Sequence, residues 1–373
     1  MDRRAAVRAI WQAGVDAVDG ETATARALAA AATTEAPPAP DRILAVGKAA
    51  TAMARAAMAR FPAVPALVVT KDGHGAGLPP EAELIEAAHP VPDARSLAGG
   101  RALREAVAAM PPGSELLLLV SGGASALAED LAPGSTLDDL AALNRRLLAA
   151  GLDITAMNAE RRKLSRIKGG GLLADFRGAR ARVLAISDVP GDDIAVIGSG
   201  IGAAPTDSAF AYGAEIVASN AIARAAAASA ARAMGLQVLA EEEALHDDPD
   251  RVAARWGPRL RAMAPGVIVL GGEPVVTLPD DPGRGGRNQA LALRLAQEIA
   301  GCDDLTLIVG GTDGTDGPTE DAGGLVDANT WGPGADTALR RADSGTYLSQ
   351  NNNLLTTGPT GTNVMDLLVA LRA

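Results

Sequence analysis

The chain has 373 residues, of which 48% are hydrophobic and 21% charged, which suits two compact domains and excludes collagen, coiled-coil and low-complexity proteins. Its 34 Lys and Arg against 45 Asp and Glu give a net charge of -11, which disfavours binding to nucleic acid or to an anionic membrane. The single cysteine excludes a disulfide framework and fits a reducing cytoplasm.

No targeting or membrane segment is evident from the sequence. Charged residues interrupt the first twenty positions, where a signal peptide would need an apolar region. No apolar run approaches the roughly 20 residues that cross a bilayer. We therefore expect a soluble, cytoplasmic protein with small-molecule partners, and the sequence leaves its oligomeric state open.

Strands and helices alternate through the first part of the chain. After a first helix with one apolar face, runs rich in Val, Leu and Ile predict strands at 41–46, 67–70, 115–120 and 182–187. Ala-rich stretches between them predict helices at 49–60, 97–110 and 137–148. This alternation predicts the α/β class, with a parallel sheet covered by helices on both faces.

A second α/β unit is expected in the remainder of the chain. An acidic run at 241–250 followed by a helix and a Pro-Gly break at 265–266 suggests a linker, so we place the domain boundary near residue 240. Beyond the break, strands are predicted at 267–270, 275–277, 305–309 and 354–356, with a helix at 288–299 and a last helix after residue 363.

A glycine-rich loop follows the strand predicted at 115–120. It reads Ser121-Gly122-Gly123-Ala124-Ser125 and leads into a predicted helix. At the carboxyl edge of a parallel sheet, backbone N–H groups and hydroxyls of this kind bind anions. The alternative is a tight turn in which Ser125 caps the helix. The two serines and the glycines at 122 and 123 are our candidates for phosphate contact.

Two more loops at this edge carry charged side chains. Lys48 follows Gly47 at a predicted helix start, where the helix dipole disfavours a cation unless an anion lies beside it; a solvated lysine is the alternative. Asp188, Asp192 and Asp193 lie together in the loop after the strand at 182–187. These carboxylates suit Mg²⁺, Asp188 alone suits a general base, and a Pro-Gly turn with surface acids is the alternative.

The second half supplies further glycine-rich loops after strands. Arg287 begins a predicted helix, where its guanidinium suits a carboxylate or phosphate. The other candidates for nucleotide or phosphate contact are Gly272, Glu273, Asn288, Thr312, Asp313, Gly314 and Thr315. Any one such loop can be ordinary turn chemistry, but their recurrence after strands indicates a ligand site between two domains.

A competing signal lies at 198–203, where Gly-Ser-Gly-Ile-Gly-Ala approximates the dinucleotide fingerprint G-x-G-x-x-G/A, with Glu215 downstream. The apolar run before it has only four residues, and Pro205 interrupts the helix that the motif requires. A nicotinamide or flavin site is therefore kept only as an alternative.

Eight segments, in order, resemble the glycerate 2-kinase family with its C-terminal MOFRL domain. They read GKAA, HPVPD, SGGASAL, IKGGGL, SDVPGDD, GGRNQ, GTDGTDGPTEDAGG and TGPTGTN. The resemblance implies a larger N-terminal Rossmann-like domain over 1–240 and a smaller MOFRL domain over 241–373. It also implies that ATP and D-glycerate meet in the cleft and that the 2-hydroxyl is phosphorylated. Relatives are also labelled hydroxypyruvate reductases.

By this resemblance, Lys48 and Arg287 are the catalytic or phosphate-contacting cations. We expect Asp188 to be the hydroxyl base, and Mg²⁺ to be held mainly by ATP phosphates with Asp188, Asp192 or Asp313. The chain departs from the family at 199–202 and 351–353, which puts the acid substrate in question more than the phosphoryl chemistry. The alternatives are an NAD(P)H-dependent hydroxypyruvate reductase, a kinase of a related 2-hydroxy acid, and a catalytically silent nucleotide sensor.

Overall fold

The computed structural model describes residues 2–31, 39–149 and 160–373. Its helices are α1 (Arg3–Ala17), α2 (Gly20–Ala31), α3 (Ala50–Arg60), α4 (Ala94–Ala108), α5 (Ala124–Leu127), α6 (Leu137–Ala149), α7 (Gly171–Ala174), α8 (Asn220–Ala233), α9 (Pro249–Ala262), α10 (Arg287–Glu298), α11 (Ala335–Arg340) and α12 (Ser344–Gln350). Its strands are β1 (Arg42–Val46), β2 (Ala66–Lys71), β3 (Glu83–Ala87), β4 (Glu115–Val120), β5 (Arg180–Ile186), β6 (Ala211–Ala218), β7 (Val238–Glu243), β8 (Gly266–Gly272), β9 (Leu305–Gly311), β10 (Gly323–Asp327), β11 (Leu354–Leu355) and β12 (Asp366–Arg372). No helix of the described ranges is long and apolar enough to cross a membrane.

The chain forms two compact units. The N-terminal unit contains residues 19–218 and 361–363, and the C-terminal unit contains residues 1–18, 219–360 and 364–373. The boundary expected near residue 240 thus lies inside β7, which pairs in parallel with β8 of the same unit. The glutamates of the acidic run that suggested a linker are exposed on an edge strand of the second sheet.

The six strands of the N-terminal unit are all parallel, in the order β3-β2-β1-β4-β5-β6. This is the strand order of a Rossmann fold. Leu44 and Val46 of β1 share one buried cluster with Leu103 of α4. The alternate residues Ile43 and Ala45 are buried on the other face, where α3 packs on β1 and β2. The predicted α/β class, with a parallel sheet covered on both faces, is confirmed.

The strand order creates a switch point between β1 and β4. The chain leaves β1 toward β2 on one side of the sheet and leaves β4 toward β5 on the other side. Loops that diverge in this way open a crevice at the carboxyl edge, which is where open α/β sheets bind ligands. The loops concerned begin at Gly47 and at Ser121.

The C-terminal unit contains a mixed sheet in the order β11-β10-β9-β12-β8-β7. The last strand, β12, lies in the middle and runs antiparallel to both β8 and β9. One face packs on α9 and α10 through residues such as Trp256 and Leu291. The other face packs on α1 and α8 through residues such as Trp11 and Ala227, and the Trp11 indole N–H donates to Leu367 O at 3.1 Å.

Two predictions about this unit are wrong. The segment after residue 363 is not a helix but the strand β12, because a central strand buried on both faces has an apolar run that periodicity cannot distinguish from a helix. Residues 275–277 form no strand, and Val275 is exposed.

Strands β3 and β6 of the first sheet and β7 and β10 of the second were not predicted, since their sequences are rich in Glu, Ala or Gly and lack long apolar runs.

Candidate functional site

The loops after β1 and β4 are bonded to each other at the switch point. The backbone N–H of Lys48 donates to Gly122 O at 2.9 Å, and the N–H of Ala49 donates to Ser121 Oγ at 3.1 Å. Gly47 has φ 126°, and a side chain there would overlap Ser121. Lys48 therefore lies in a tight turn just before α3, half-buried, with its position set by the neighbouring loop.

The loop at 121–123 has two glycines without side chains and lies beside a carboxylate; Ser121 and Gly122 are buried and Gly123 is half-buried. Gly123, with φ 82°, is the N-cap of the single-turn α5, so Ser125 lies within that turn and does not cap it. A side chain on Gly122 would overlap the Asp188 carboxylate. The structure thus brings the loops that carry Lys48, Ser121 and Asp188 to one edge of the N-terminal unit.

Asp188 is separated from the other two acids of its loop. It directly follows β5, is half-buried, and its Oδ2 accepts from Asn363 Nδ2 at 3.5 Å. Asp193 instead accepts from the N–H of Ala195 at 2.8 Å, and Asp192 occupies a left-handed turn position. Within the described residues, no group of three His, Cys, Asp or Glu side chains is placed to hold a metal ion.

His89 is a neighbour of this edge that the sequence reasoning did not assign. A Cβ on Gly123 would lie 3.1 Å from Lys48 Cγ and 3.2 Å from His89 Nε2, so both side chains flank that glycine. His89 follows β3, one of the strands that was not predicted. Its HPVPD segment was part of the family resemblance, which was the one available signal.

In the C-terminal unit, a buried carboxylate caps the helix that begins at Arg287. Asp316, 2% exposed, accepts from the backbone N–H groups of Asn288 at 3.0 Å and Gln289 at 2.8 Å. Burial raises the pKa of Asp316 to about 7, although these two N–H donors act in the opposite direction. Asp316 was missed because the sequence reasoning selected only residues 312–315 of its loop.

Arg287 is held between two carboxylates. Its Nε donates to Asp366 Oδ2 at 2.7 Å, and its Nη1 lies 2.6 Å from Glu273 Oε1. Burial disfavours the charged guanidinium, but Asp366 and Glu273 outweigh that effect and hold the pKa of Arg287 above its ordinary value. Asp366, 1% exposed, also accepts from Asn288 Nδ2 at 2.9 Å. The guanidinium is therefore fixed in place, with 35% of the side chain still accessible to a ligand.

The remaining candidates shape the turns around this arginine. Thr312 donates to Met365 O at 2.7 Å and accepts from the N–H of Val364 at 2.9 Å, which joins its loop to the start of β12. Asp313 Oδ1 accepts from both the N–H and the hydroxyl of Thr315. Gly314 has φ 87°, which disfavours any side chain there. These residues stabilise the loop, and the Asp313 carboxylate remains half-buried at its surface.

The string at 198–203 lacks the context of a dinucleotide site. Residues 194–197 form no strand, and Ile197–Gly200 is a single 3-10 turn with no helix after it. Ile197 and Ile201 are buried in the core of the N-terminal unit. Glu215 lies on β6 and pairs with Arg182. The glycines of this string therefore form a turn between buried residues, not a dinucleotide-binding loop.

The chain is similar to known families and proteins over most of its length. Residues 6–235 match the "Domain of unknown function (DUF4147)" family, and residues 266–366 match the MOFRL family. The D-glycerate 2-kinase of Thermotoga maritima is 34% identical, over 89% of this chain and 91% of that protein. The chain belongs to the glycerate 2-kinase family. The resemblance inferred from the eight sequence segments is confirmed.

A solved glycerate kinase structure supports the glycerate 2-kinase fold. The crystal structure of the Thermotoga maritima glycerate kinase has a TM-score of 0.87 and 30% identity, and covers 99% of both chains. A relative from Agrobacterium vitis, 35% identical over 88% of this chain and 98% of that protein, carries the provisional label hydroxypyruvate reductase. The MOFRL match lies in the C-terminal unit except for residues 361–363, whereas the DUF4147 match covers the N-terminal unit up to residue 218 together with most of α1 and all of α8 of the C-terminal unit.

Proposed function

We propose that this protein is a glycerate 2-kinase, which transfers the γ-phosphoryl group of ATP to the 2-hydroxyl of D-glycerate and releases ADP and 2-phosphoglycerate. The observation that carries the proposal is its 34% identity to the D-glycerate 2-kinase of Thermotoga maritima over nearly the whole of both chains. The loops of the N-terminal unit supply the chemistry that such a reaction needs, because phosphoryl transfer depends mainly on positioning and charge stabilisation.

In the N-terminal unit, we assign the loop at 121–123 and Lys48 to phosphate. The glycines at 122 and 123 carry no side chains, and Gly123 is half-buried, while the turn at Gly47 fixes the position of the lysine relative to this loop. An ammonium group there would neutralise charge that develops on the transferred group. This local charge is needed because the net charge of -11 disfavours an anionic nucleotide.

In the C-terminal unit, we assign Arg287 to the same chemical role. Asp366 accepts from Nε and Nη2 of the guanidinium, and Glu273 lies against Nη1. One N–H on Nη1 and one on Nη2 remain for a phosphate oxygen. Two carboxylate partners hold the arginine in one orientation before substrate binds. A preorganised donor of this kind contributes more to rate than a mobile one.

Asp188 is our candidate for the base that accepts the proton of the substrate hydroxyl. It is anchored directly after β5, and the Gly122 backbone and the Asn363 amide lie against its carboxylate. Asp192 and Asp193 lie beyond Pro190 and Gly191 and are anchored less directly to the sheet.

Mg²⁺ is expected to accompany ATP and to neutralise phosphate charge. The residues present fit a metal held mainly by the nucleotide, because magnesium commonly takes only one or two protein carboxylates. The described residues offer single half-buried carboxylates, not a cage of three. Asp188 and Asp313 are the ones we assign to this role, with Asp192 as the more peripheral candidate.

A hydroxypyruvate reductase is the less favoured alternative. It would need a dinucleotide site, and the candidate string at 198–203 forms a core turn with neither the strand nor the helix of that motif. This string therefore does not support the label on the Agrobacterium vitis relatives.

An assay with three substrate mixtures tests the proposal. With MgATP and D-glycerate we expect release of ADP and a phosphorus NMR signal of 2-phosphoglycerate, not 3-phosphoglycerate. In the second mixture, MgATP with L-glycerate or glycolate, we expect slower release of ADP. In the third, NADH with hydroxypyruvate, we expect no loss of nicotinamide absorbance. Turnover only in the third mixture supports the reductase, and ATP binding without turnover of any acid supports a silent sensor.

A further inference from the structure

His246 lies in the connection between β7 and α9 and forms two hydrogen bonds through its ring. Its Nδ1 accepts from the backbone N–H of Glu273 at 3.2 Å, and its Nε2 lies 2.8 Å from Glu243 Oε1. A backbone N–H can only donate, so Nδ1 carries no proton. The ring proton is therefore on Nε2, where it donates to Glu243, and the ring is the neutral tautomer.

The first of these bonds anchors the segment that holds Arg287. Glu273 follows β8 in a stretch without helix or strand, and 44% of its side chain is exposed, yet its Oε1 lies 2.6 Å from Arg287 Nη1. The other partner, Asp366, is buried at the start of the central strand β12. Asp366 is thus fixed by the sheet, whereas Glu273 depends on its contacts with the β7–α9 connection.

Gly272 provides the space for this arrangement. It has φ 130°, and a Cβ there would lie 3.1 Å from His246 Nε2 and 3.0 Å from the N atom of Leu245. The ring therefore packs directly against the backbone that precedes Glu273. A second bond, from the N–H of Val275 to Asp247 O at 3.0 Å, joins the same two segments.

Charged groups from several elements surround the ring. The ring borders an open cavity of about 320 Å³, and about one third of the side chain is exposed. The charged groups on this cavity or bonded to its wall are Glu242 and Glu243 of β7, Arg255 and Arg259 of α9, Glu273 after β8, and Arg224 of α8, which pairs with Glu243. Positive and negative groups therefore both face the ring.

We propose that His246 is a positioning residue for Arg287: its neutral ring holds the Glu273 backbone and thereby keeps the Glu273 carboxylate on the guanidinium. This rests on the proposed role of Arg287 in phosphoryl transfer. Without an acceptor at the position of Nδ1, the Glu273 N–H loses this bond and the segment is held less firmly. Arg287 then keeps Asp366 but its second carboxylate is less well placed, so its alignment weakens.

Two substitutions of His246 distinguish the roles of its two ring nitrogens. In His246→Asn the amide oxygen lies near the position of Nδ1 and can accept from the Glu273 N–H. In His246→Gln the amide reaches the position of Nε2 and Glu243 but leaves the Glu273 N–H without its acceptor. We expect kcat to fall about 3- to 10-fold in the Gln variant, the size of one lost hydrogen bond, with both KM values within about twofold. The Asn variant should remain near wild type.

A second readout does not depend on activity. In protein with nitrogen-15 at arginine Nε, the Arg287 signal, assigned by its loss in Arg287→Lys, should be sharp in wild type and the Asn variant and broadened in the Gln variant. His74→Asn, in the β2–β3 connection, is the control and should behave as wild type.

The two proposals fail in different ways. If wild type does not phosphorylate glycerate, the proposed function fails while the NMR contrast still tests the role of His246. Equal kinetics and equal Arg287 signals in the Asn and Gln variants would overturn the positioning role. If neither variant folds, the ring nitrogen-15 signals of His246 in wild type decide: a proton on Nε2 and none on Nδ1 is expected, and a proton on Nδ1, which could not accept from the Glu273 N–H, overturns the role.

Discussion

Lys48 is the residue whose replacement tests the phosphate assignment most directly. Lys48→Met keeps the length and apolar stem of the side chain and removes its charge. We expect kcat to fall at least about 100-fold, because a charge contact in the transition state is lost. The free energy of unfolding should change little, since the side chain is half-exposed. Lys71→Met, at the end of β2, is the matched control and should keep near-normal turnover; similar losses in both variants would contradict the assignment.

Asp316 makes stability depend on pH in a definite direction. Burial raises its pKa to about 7 in the folded protein, whereas an unfolded chain has a value of about 3.9. Between these values the folded state holds a proton that the unfolded state has released, so this stabilising contribution is present at acid pH and is lost as pH rises toward 7.

The measurement is the difference in unfolding free energy between wild type and Asp316→Asn, from urea titrations at several pH values. We expect the difference to decrease from about pH 4 to about pH 7, by at most about 4 kcal/mol. Asp248→Asn, which keeps a capping oxygen on α9 but removes the charge at a less buried position, is the control. A difference that rises with pH would show that Asp316 is held as a carboxylate instead.

At the scale of elements, the contact between the loops after β1 and β4 depends on Gly47. Gly47→Ala adds a methyl group at φ 126° that overlaps Ser121, and we expect it to lower the free energy of unfolding by about 3 kcal/mol or more. Gly113→Ala is the matched control: φ is 87° but nothing lies within 4 Å, so only the backbone strain of about 1 kcal/mol applies. Equal losses in denaturant titrations would mean that the Ser121 contact is unimportant.

Sequence patterns predicted elements well where burial produced long apolar runs. Strands β1, β2, β4 and β9 were placed within two residues of their observed ends. The failure at β12 has the same origin, since a strand buried on both faces and a buried helix give similar runs. The side chains around Arg287 were only partly predicted, because Asp366 reaches it through the register of β12 beside β8, and His246 touches only the backbone of its partner Glu273 from another loop. Neither pairing leaves a local signal.

At the scale of the whole molecule, the first helix is an integral part of the C-terminal unit. Trp11 is fully buried among residues of α8, β9 and β12. We expect Trp11→Ala to lower the stability of this unit by about 3–5 kcal/mol and to speed amide exchange in β12 while β1 and β4 remain protected. Arg8→Ala, exposed on the same helix, should change stability by less than about 0.5 kcal/mol. Faster exchange in β1 would instead mean that the two units unfold together.

The central position of β12 has a consequence for the order of events during synthesis. Ribosomes deliver α1, β8 and β9 well before residues 366–372, so for a period on the order of seconds the second sheet has an open slot between β8 and β9. Both strands then present unpaired N–H and C=O groups along this slot, a surface that invites pairing with another nascent chain. The six strands of the first sheet have all been made by residue 218. A chaperone that binds the nascent chain should therefore recognise the open slot of the second sheet. Ribosome-bound chains arrested before residue 366 should keep such a chaperone bound longest.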